Sequence, residues 1–271
     1  MPTKLEVILS PAEFAELRMR DLTQTDCVVL DILRATTSMV TALANGAEAI
    51  IPVSEISEAL AIRQQRPEVL LAGERAGLRI RSDLTGGVEF DLGNSPREYT
   101  SQKVQGKTLV MTTTNGTRAL RACSGARNVL VGSFLNLRAI YAWLQEEQPP
   151  NLTIICSGTY EEPALEDMLA AGAICERVWP FYAGGEVSDS AEMARRLYPL
   201  MQYDLLGAMK SSRNGRRLLA NPDLRSDVWF CVQRETVPFA AELCPDGAVR
   251  KKPSHSTATT HSGTPLPAPM L

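Results

Sequence analysis

Histidine is nearly absent from this 271-residue chain. The two histidines, His255 and His261, both lie within the last 17 residues. Segment 253–271 has four prolines, seven serines or threonines, no aromatic residue, and no Asp, Glu, Lys or Arg. We therefore predict a disordered tail after a folded domain of residues 1–252. A histidine-free domain excludes serine–histidine triads, cysteine–histidine pairs and histidine-bound zinc, unless the tail folds back over a site.

Three further absences narrow the class of protein. The six cysteines include no C-x-x-C pair, and several lie in apolar runs, which predicts reduced, buried thiols. The chain has no 18-residue apolar run and no signal-peptide pattern. It also has no excess of positive charge, with 28 basic and 31 acidic side chains. We expect a cytoplasmic protein that binds neither membranes nor nucleic acid. The sequence is also compatible with a homodimer.

Short apolar runs alternate with helical patterns along much of the chain. The predicted strands are residues 5–9, 28–30, 49–53, 69–71, 108–111, 128–131 and 152–156. The predicted helices are residues 36–44, 56–63, 117–122, 135–146 and 164–179. This alternation indicates an α/β fold with a largely parallel sheet that helices cover on both faces.

The internal organisation is less regular. Three stretches, starting at Val28, Thr108 and Leu152, each run from a strand through a hydroxyl-rich loop to a helix, so the fold could contain two similar sub-domains. From residue 188 the pattern is helical and richer in charge, and it ends in a predicted strand at 228–233. Gly184 and Gly185 mark a candidate sub-domain boundary near 184–188.

Two strand-to-helix loops are more polar than packing requires. The first, DILRATT at residues 31–37, places a carboxylate at a strand end and an arginine and two threonines at a helix start. Such an arrangement is typical of an anion and metal site. The second, TTTNGT at residues 112–117, offers hydroxyls and backbone amides to a phosphoryl group. Loops at the carboxyl ends of parallel strands gather at one edge of a sheet, so we expect these two to meet.

Other loops carry weaker signals. Glu74 and Arg75 follow a predicted strand, and Asp91 and Asn94 lie near turns, where oxygen ligands would suit Mg²⁺. Glu166 and Asp167 crowd the start of a helix. For the neighbouring Glu161 and Glu162, we expect no more than a favourable interaction with the helix dipole. The SSRNGRR segment at residues 211–217 is either a solvated basic turn or a clamp for a substrate carboxylate or sulfonate.

Taken together, these segments resemble the 2-phosphosulfolactate phosphatase family. The matching strings are VVLDILRATTSMVTALANGA, LLAGERAG, FDLGNSP, GKTLVMTTTNGTRAL, VLVGSFLN, ICSGT, LEDMLAAGAI and SSRNGRRL. The resemblance implies a three-layer α/β/α fold. It also implies a Mg²⁺-dependent phosphatase that converts 2-phospho-3-sulfolactate to 3-sulfolactate and phosphate, a step towards coenzyme M. A small anionic phosphoester would be the substrate, and either an activated water or Asp31 would attack it.

The residues and the resemblance together give a candidate site. The candidate catalytic groups are Asp31, Glu74 and Asp167, and the candidate metal ligands are Asp31, Glu74, Asp91 and Glu166. The candidate substrate-binding residues are Arg34, Thr36, Thr37, Arg75, Asn94, Thr113, Thr114, Asn115, Gly116, Thr117, Arg118 and Arg213. Two alternatives stay open: a phosphatase for another small 2-phospho-carboxylate, and an anion-binding regulator without turnover.

Overall fold

The computed structural model describes residues 3–253. The predicted tail therefore lies, apart from Pro253, outside the described residues. The strands are β1 Lys4–Ile8, β2 Thr25–Leu30, β3 Ala49–Val53, β4 Leu70–Arg75, β5 Leu78–Arg79, β6 Thr108–Thr112, β7 Asn128–Gly132, β8 Asn151–Cys156, β9 Glu186–Val187, β10 Ala241–Leu243 and β11 Val249–Lys251. The helices are α1 Phe14–Leu17, α2 Ala35–Ala44, α3 Ile56–Gln65, α4 Ser82–Thr85, α5 Ser101–Val104, α6 Gly116–Ala122, α7 Leu137–Glu147, α8 Leu165–Tyr182, α9 Asp189–Met201, α10 Leu205–Ser211, α11 Arg213–Ala220 and α12 Arg225–Cys231.

Residues 3–253 contain one mixed β-sheet. Its eleven strands lie in the order β5-β4-β6-β3-β11-β10-β7-β2-β8-β1-β9. Strands β4, β6 and β3 are parallel to one another, and so are β7, β2, β8, β1 and β9. The hairpin β10–β11 pairs antiparallel with β7 on one side and β3 on the other. The predicted α/β class is confirmed, with two parallel halves that an antiparallel hairpin joins.

Helices cover both faces of this sheet, as the three-layer expectation requires. In β2, Val28 and Leu30 belong to an apolar cluster with helices α7 and α8, whereas Cys27 and Val29 belong to a second cluster with α2 and α6. That second cluster also takes in side chains of β3, β6, β10 and β11. Helices α2 and α6 thus share one core with both halves of the sheet.

The predicted strand at 228–233 is wrong, because this segment is largely the helix α12. The buried side chains are Asp227, Val228 and Cys231, while Trp229 is 55% exposed. That spacing follows the 3.6-residue period of a helix and not the alternation of a strand. A short run of valine, phenylalanine and cysteine is ambiguous in sequence, and here packing against other helices decides it.

The segment around the candidate sub-domain boundary joins the same sheet. Glu186 and Val187 form β9, which pairs with β1, and Ser188 then caps α9 by accepting a hydrogen bond from the Ala191 amide. Within residues 3–253, no helix combines the length and apolarity needed to cross a bilayer. All six cysteines are free thiols, and five of them are buried, which agrees with the expectation from their apolar surroundings.

Candidate functional site

A cavity of about 280 Å³ opens where several strand-end loops meet. Its wall is formed by the loop after β2, the β4–β5 hairpin, the loop after β6, the turn after β8 and helix α11, together with Asn94. The lining residues are Asp31, Leu33, Arg34, Glu74, Arg75, Ala76, Gly77, Asn94, Thr114, Asn115, Gly158, Thr159, Tyr160, Asn214, Arg217 and Leu218.

The two polar strand-to-helix loops touch at this cavity, although β2 and β6 belong to halves of the sheet that run antiparallel to each other. A methyl group placed on Gly116, the first residue of α6, would lie 2.6 Å from the Ala35 side chain and 2.7 Å from Asp31 Oδ2. Both distances are shorter than van der Waals contact, so only glycine lets the start of α6 come this close to the start of α2. The absent side chain therefore places the Asp31 carboxylate against the second loop.

The threonines of the first loop fix its shape. Thr36 Oγ1 accepts a hydrogen bond from the Asp31 amide at 2.9 Å and donates to the Asp31 carbonyl at 3.0 Å. Thr37 Oγ1 donates to the Ile32 carbonyl, and both threonine side chains are fully buried. Asp31 Oδ1 accepts from the Ala35 amide at 3.0 Å, which holds the carboxylate at the start of α2.

The second loop is held in the same way, and we call these hydrogen bonds of Thr36 and Thr117 to nearby backbone the threonine locks. Thr117 Oγ1 donates to the Thr113 carbonyl at 3.1 Å, and the Thr117 amide donates to Thr113 Oγ1 at 3.2 Å. Glu74 reaches across from β4, where its Oε1 accepts from the Thr114 amide and its Oε2 from the Gly77 amide. Glu74 therefore ties the β4–β5 turn to the loop after β6.

The predicted arginines of the cavity wall already have partners. Arg34 is 3% exposed, and its Nη1 donates at 2.7 Å to Oδ2 of the fully buried Asp227 on α12. Its Nη2 donates to the Gly77 carbonyl. Arg75 donates to the carbonyls of Glu74 and Ser54 and to Thr112 Oγ1. Sequence reasoning missed Asp227, which directly precedes the segment predicted as a strand at 228–233.

Acidic side chains crowd the region behind Asp31. Burial, together with the negative charges of Glu74 and Glu166, raises the pKa of Asp31 to about 7. Burial also raises the pKa of Glu166, and burial with the charges of Asp31 and Glu166 raises that of Asp167 well above its usual range. The two Asp167 oxygens accept from the amides of Ile32 and Gly158, so Asp167 links the loops after β2 and β8.

Ten of the 17 sequence candidates do not line the cavity, and three of these pair with residues outside it. The Asp91 carboxylate pairs with Arg63 at 3.1 Å and accepts from the Leu71 amide at 2.8 Å. Arg118 pairs with Glu161 on the surface. Arg213 pairs with Glu162 and donates to carbonyls of the turn after β8. The structure therefore does not bring Asp91, Arg118 or Arg213 to the wall beside Asp31.

Helix α11 supplies three lining residues that were not among the candidate site residues. Ser212 caps this helix by accepting from the Gly215 amide, which directs Asn214, Arg217 and Leu218 to the cavity. Asn214 Nδ2 donates to Thr159 Oγ1 and, at 2.6 Å, to Glu166 Oε1. The sequence could have indicated this shared face, since Arg217 and Leu218 follow Asn214 by three and four positions and such residues lie on one face of a helix.

Several buried polar atoms at or near the cavity have no hydrogen-bond partner among residues 3–253. They are Asn94 Oδ1, Asn115 Oδ1, Ser157 Oγ and Glu166 Oε2. For Asn115 the orientation is fixed, because its Nδ2 donates to the Gly158 carbonyl at 2.9 Å. Buried acceptors of this kind are costly unless water or a ligand completes them.

No group of three or more Asp, Glu, His or Cys side chains in the described residues is arranged to hold a metal ion. Mg²⁺, however, usually binds through one or two protein carboxylates, waters and substrate phosphate. The partly buried Asp31, with Glu74 and Glu166 nearby and one free Glu166 oxygen, is a donor set of that hard type. Their mutual repulsion would fall if a cation bound among them.

Comparisons with known proteins point to one family. The family model described as 2-phosphosulpholactate phosphatase matches residues 11–244. A protein of Clostridium acetobutylicum is 35% identical over 88% of this chain and 97% of its own length. One of Caldanaerobacter subterraneus is 37% identical over 85% and 92%, and one of Picosynechococcus is 38% identical over 78% and 86%. All three carry the name "Probable 2-phosphosulfolactate phosphatase".

Proposed function

Because this chain belongs to the 2-phosphosulpholactate phosphatase family, we propose that it hydrolyses the phosphate ester of 2-phospho-3-sulfolactate in a Mg²⁺-dependent reaction. The products are 3-sulfolactate and inorganic phosphate. The observation that carries this proposal is the position of Asp31, at the contact between two strand-to-helix loops inside a cavity that Glu74, Arg34 and Arg75 also line.

The first loop supports binding of the phosphoryl group. Helix α2 begins at Ala35, directly beside Asp31, and the first amides of a helix have no partner within it. The Ala35 and Thr36 amides already donate to Asp31, so it is the positive end of the helix dipole that favours an anion here. Arg34 adds a guanidinium that Asp227 holds in place at the same position. The phosphate would thus lie at the start of α2, within reach of the Asp31 carboxylate.

The acidic residues around this position suit a hard cation. Asp31 and one neighbouring carboxylate, either Glu74 or Glu166 through its free Oε2, would hold Mg²⁺, with waters and the substrate phosphate as the other ligands. When bound, the ion would offset charge on the phosphate and lower the pKa of a bound water. Glu166 is kept in place by Asn214, and Glu74 by the amides of Thr114 and Gly77.

The net reaction needs one water molecule. The water oxygen bonds to phosphorus, the bond between phosphorus and the ester oxygen breaks, and that oxygen takes up a proton to give the hydroxyl of 3-sulfolactate. Asn115 Oδ1 is a buried acceptor on the cavity wall without a partner in the described residues. It would accept a hydrogen bond from the attacking water and so orient it.

Release of phosphate from purified protein tests the proposal. We expect turnover of 2-phospho-3-sulfolactate with Mg²⁺ and its loss after chelation, with recovery when Mg²⁺ is returned. Asp91→Asn is the matched carboxylate control, and it should keep full activity per folded molecule because Asp91 pairs with Arg63 outside the cavity. Turnover that survives chelation would exclude the metal. Faster turnover of another 2-phospho-carboxylate would replace the substrate, and no release from any phosphoester would contradict the proposed activity.

A further inference from the structure

Arginines around the cavity differ in whether their charge is already neutralised. Arg34 pairs with the buried Asp227, Arg118 with Glu161, and Arg213 with Glu162. A paired guanidinium offers less attraction to an incoming anion, because its partner's charge opposes the approach. The charge balance of the cavity therefore depends on any arginine that lacks an acidic partner.

Arg75 and Arg217 both lack an acidic partner in the described residues, but Arg75 already donates to two carbonyls and to Thr112 Oγ1, which leaves Arg217. It projects from α11 into the cavity lining, and its side chain is exposed. It makes no hydrogen bond or ion pair with any part of the chain that the structure describes. The guanidinium lies against the β4–β5 turn, where a Cβ on Gly77 would be 2.8 Å from Arg217 Nη2. Gly77 has φ +80° and no side chain, so the turn leaves space for this group.

We propose that Arg217 binds an acidic group of the substrate that is not cleaved, and that it selects phosphoesters with a carboxylate or sulfonate close to the phosphate. This inference rests on the proposed function, whose substrate carries both acids besides its phosphate. Arg217 belongs to α11, whereas Asp31 precedes α2, and both residues line the cavity. A planar guanidinium with several donors suits a carboxylate or sulfonate, while Leu218 beside it offers an apolar contact for the carbon chain.

Binding measurements on the intact, Mg²⁺-loaded protein test this assignment without requiring turnover. Titration calorimetry would compare wild type with Arg217→Gln, using 3-sulfolactate and inorganic phosphate. We expect Arg217→Gln to weaken 3-sulfolactate binding by about 10- to 100-fold, the usual range for a charge-assisted hydrogen bond, and phosphate binding by less than about 2-fold. Arg217→Lys keeps the positive charge but loses the paired N–H donors of the guanidinium. Its affinity for 3-sulfolactate should therefore lie between those of wild type and Arg217→Gln.

Arg216→Gln is the matched control. Arg216 is the exposed neighbour on α11, it donates to the Ser211 carbonyl, and it does not line the cavity. Its replacement should leave every affinity unchanged. Lactate keeps the carboxylate and 2-hydroxyethanesulfonate keeps the sulfonate, so the ligand whose affinity falls in Arg217→Gln identifies the group bound. Melting curves of each variant would verify folding.

The outcomes separate this inference from the proposed function. Unchanged 3-sulfolactate binding in Arg217→Gln would overturn the role of Arg217, and so would an equal loss of phosphate binding or a wild type that does not bind 3-sulfolactate. A selective loss of 3-sulfolactate binding in a protein without phosphatase activity would support Arg217 and refute the activity. Phosphatase activity with an unchanged kcat/KM in Arg217→Gln would support the proposed activity and refute the role of Arg217.

Discussion

The two strand-to-helix turns that meet at the cavity have similar locks and different charge. In the turn after β2, Thr36 bonds back to the backbone of Asp31, and in the turn after β6, Thr117 bonds back to that of Thr113. Only the first turn carries a carboxylate and an arginine, while the second presents the neutral side chain of Asn115. The shared hydroxyls therefore build the turns, and the unshared residues give each turn its chemistry.

This difference separates residues that the sequence groups together. Thr36, Thr37, Thr113 and Thr117 are each at most 2% exposed, and their hydroxyls bond to neighbouring backbone. A threonine hydroxyl that is committed in this way has little capacity left for a phosphate oxygen. The groups open to a ligand are instead the Asp31 carboxylate and the free oxygen of Asn115.

The largest expected effect is on kcat, and it comes from removing the charge of Asp31, which only the first turn carries. Asp31→Asn should lower kcat by about 10³-fold or more, because metal and charge contributions to phosphoryl transfer reach several kcal/mol. Thr113→Ala, at the corresponding strand end of the other turn, should lower kcat by less than about 10-fold. Steady-state phosphate release measures both variants. Comparable losses in the two would mean that the turns contribute equally to the chemistry.

The two threonine locks should contribute similarly to the free energy of unfolding. Thr36→Val and Thr117→Val each keep the shape of the side chain but leave buried backbone groups without a partner. We expect each to lower the free energy of unfolding by about 1–3 kcal/mol, measured by urea unfolding. Turnover should fall more in Thr36→Val, since that lock positions Asp31. A change near zero in either variant would show that its hydroxyl does not hold the turn.

Much of the architecture could be predicted because it rests on local pattern. The apolar run before Asp31 gave β2, and the hydroxyl-rich loop gave the start of α2. Seven of the eight predicted strands and all five predicted helices have an observed counterpart, whereas the eighth strand, at 228–233, is largely helix α12. The antiparallel hairpin β10–β11 was not foreseen, since strands of three residues carry little periodicity. Nor could pairing between distant strands be derived from spacing alone.

The candidate site was harder to predict, because ion pairs depend on distant contacts. Asp91 and Arg63 are 28 positions apart, and Arg34 and Asp227 are 193 apart. Nothing in the local sequence of Arg34 indicates that a buried aspartate neutralises it. Likewise, Arg217 and Arg213 look equivalent in SSRNGRR, and only the position of Glu162 distinguishes them. Sequence reasoning found the loops, and the fold decides which side chains remain free.

The smallest expected effect concerns the stability of the first turn without Mg²⁺. The pKa of Asp31 is about 7 in the folded protein, against a usual value of 3.8, so the folded chain retains this proton where the unfolded chain has lost it. Stability should therefore fall as pH rises from about 4 to 7 and level off above that. Because Asp31 is partly exposed, we expect a loss of about 1–2 kcal/mol, less than the full shift would give. Urea unfolding without Mg²⁺ at a series of pH values measures it. Asp31→Asn should flatten the decline and Thr113→Ala should keep it, because only the first turn carries the charge. An identical decline in wild type and Asp31→Asn would assign the effect to the other buried carboxylates, Glu166 and Asp167.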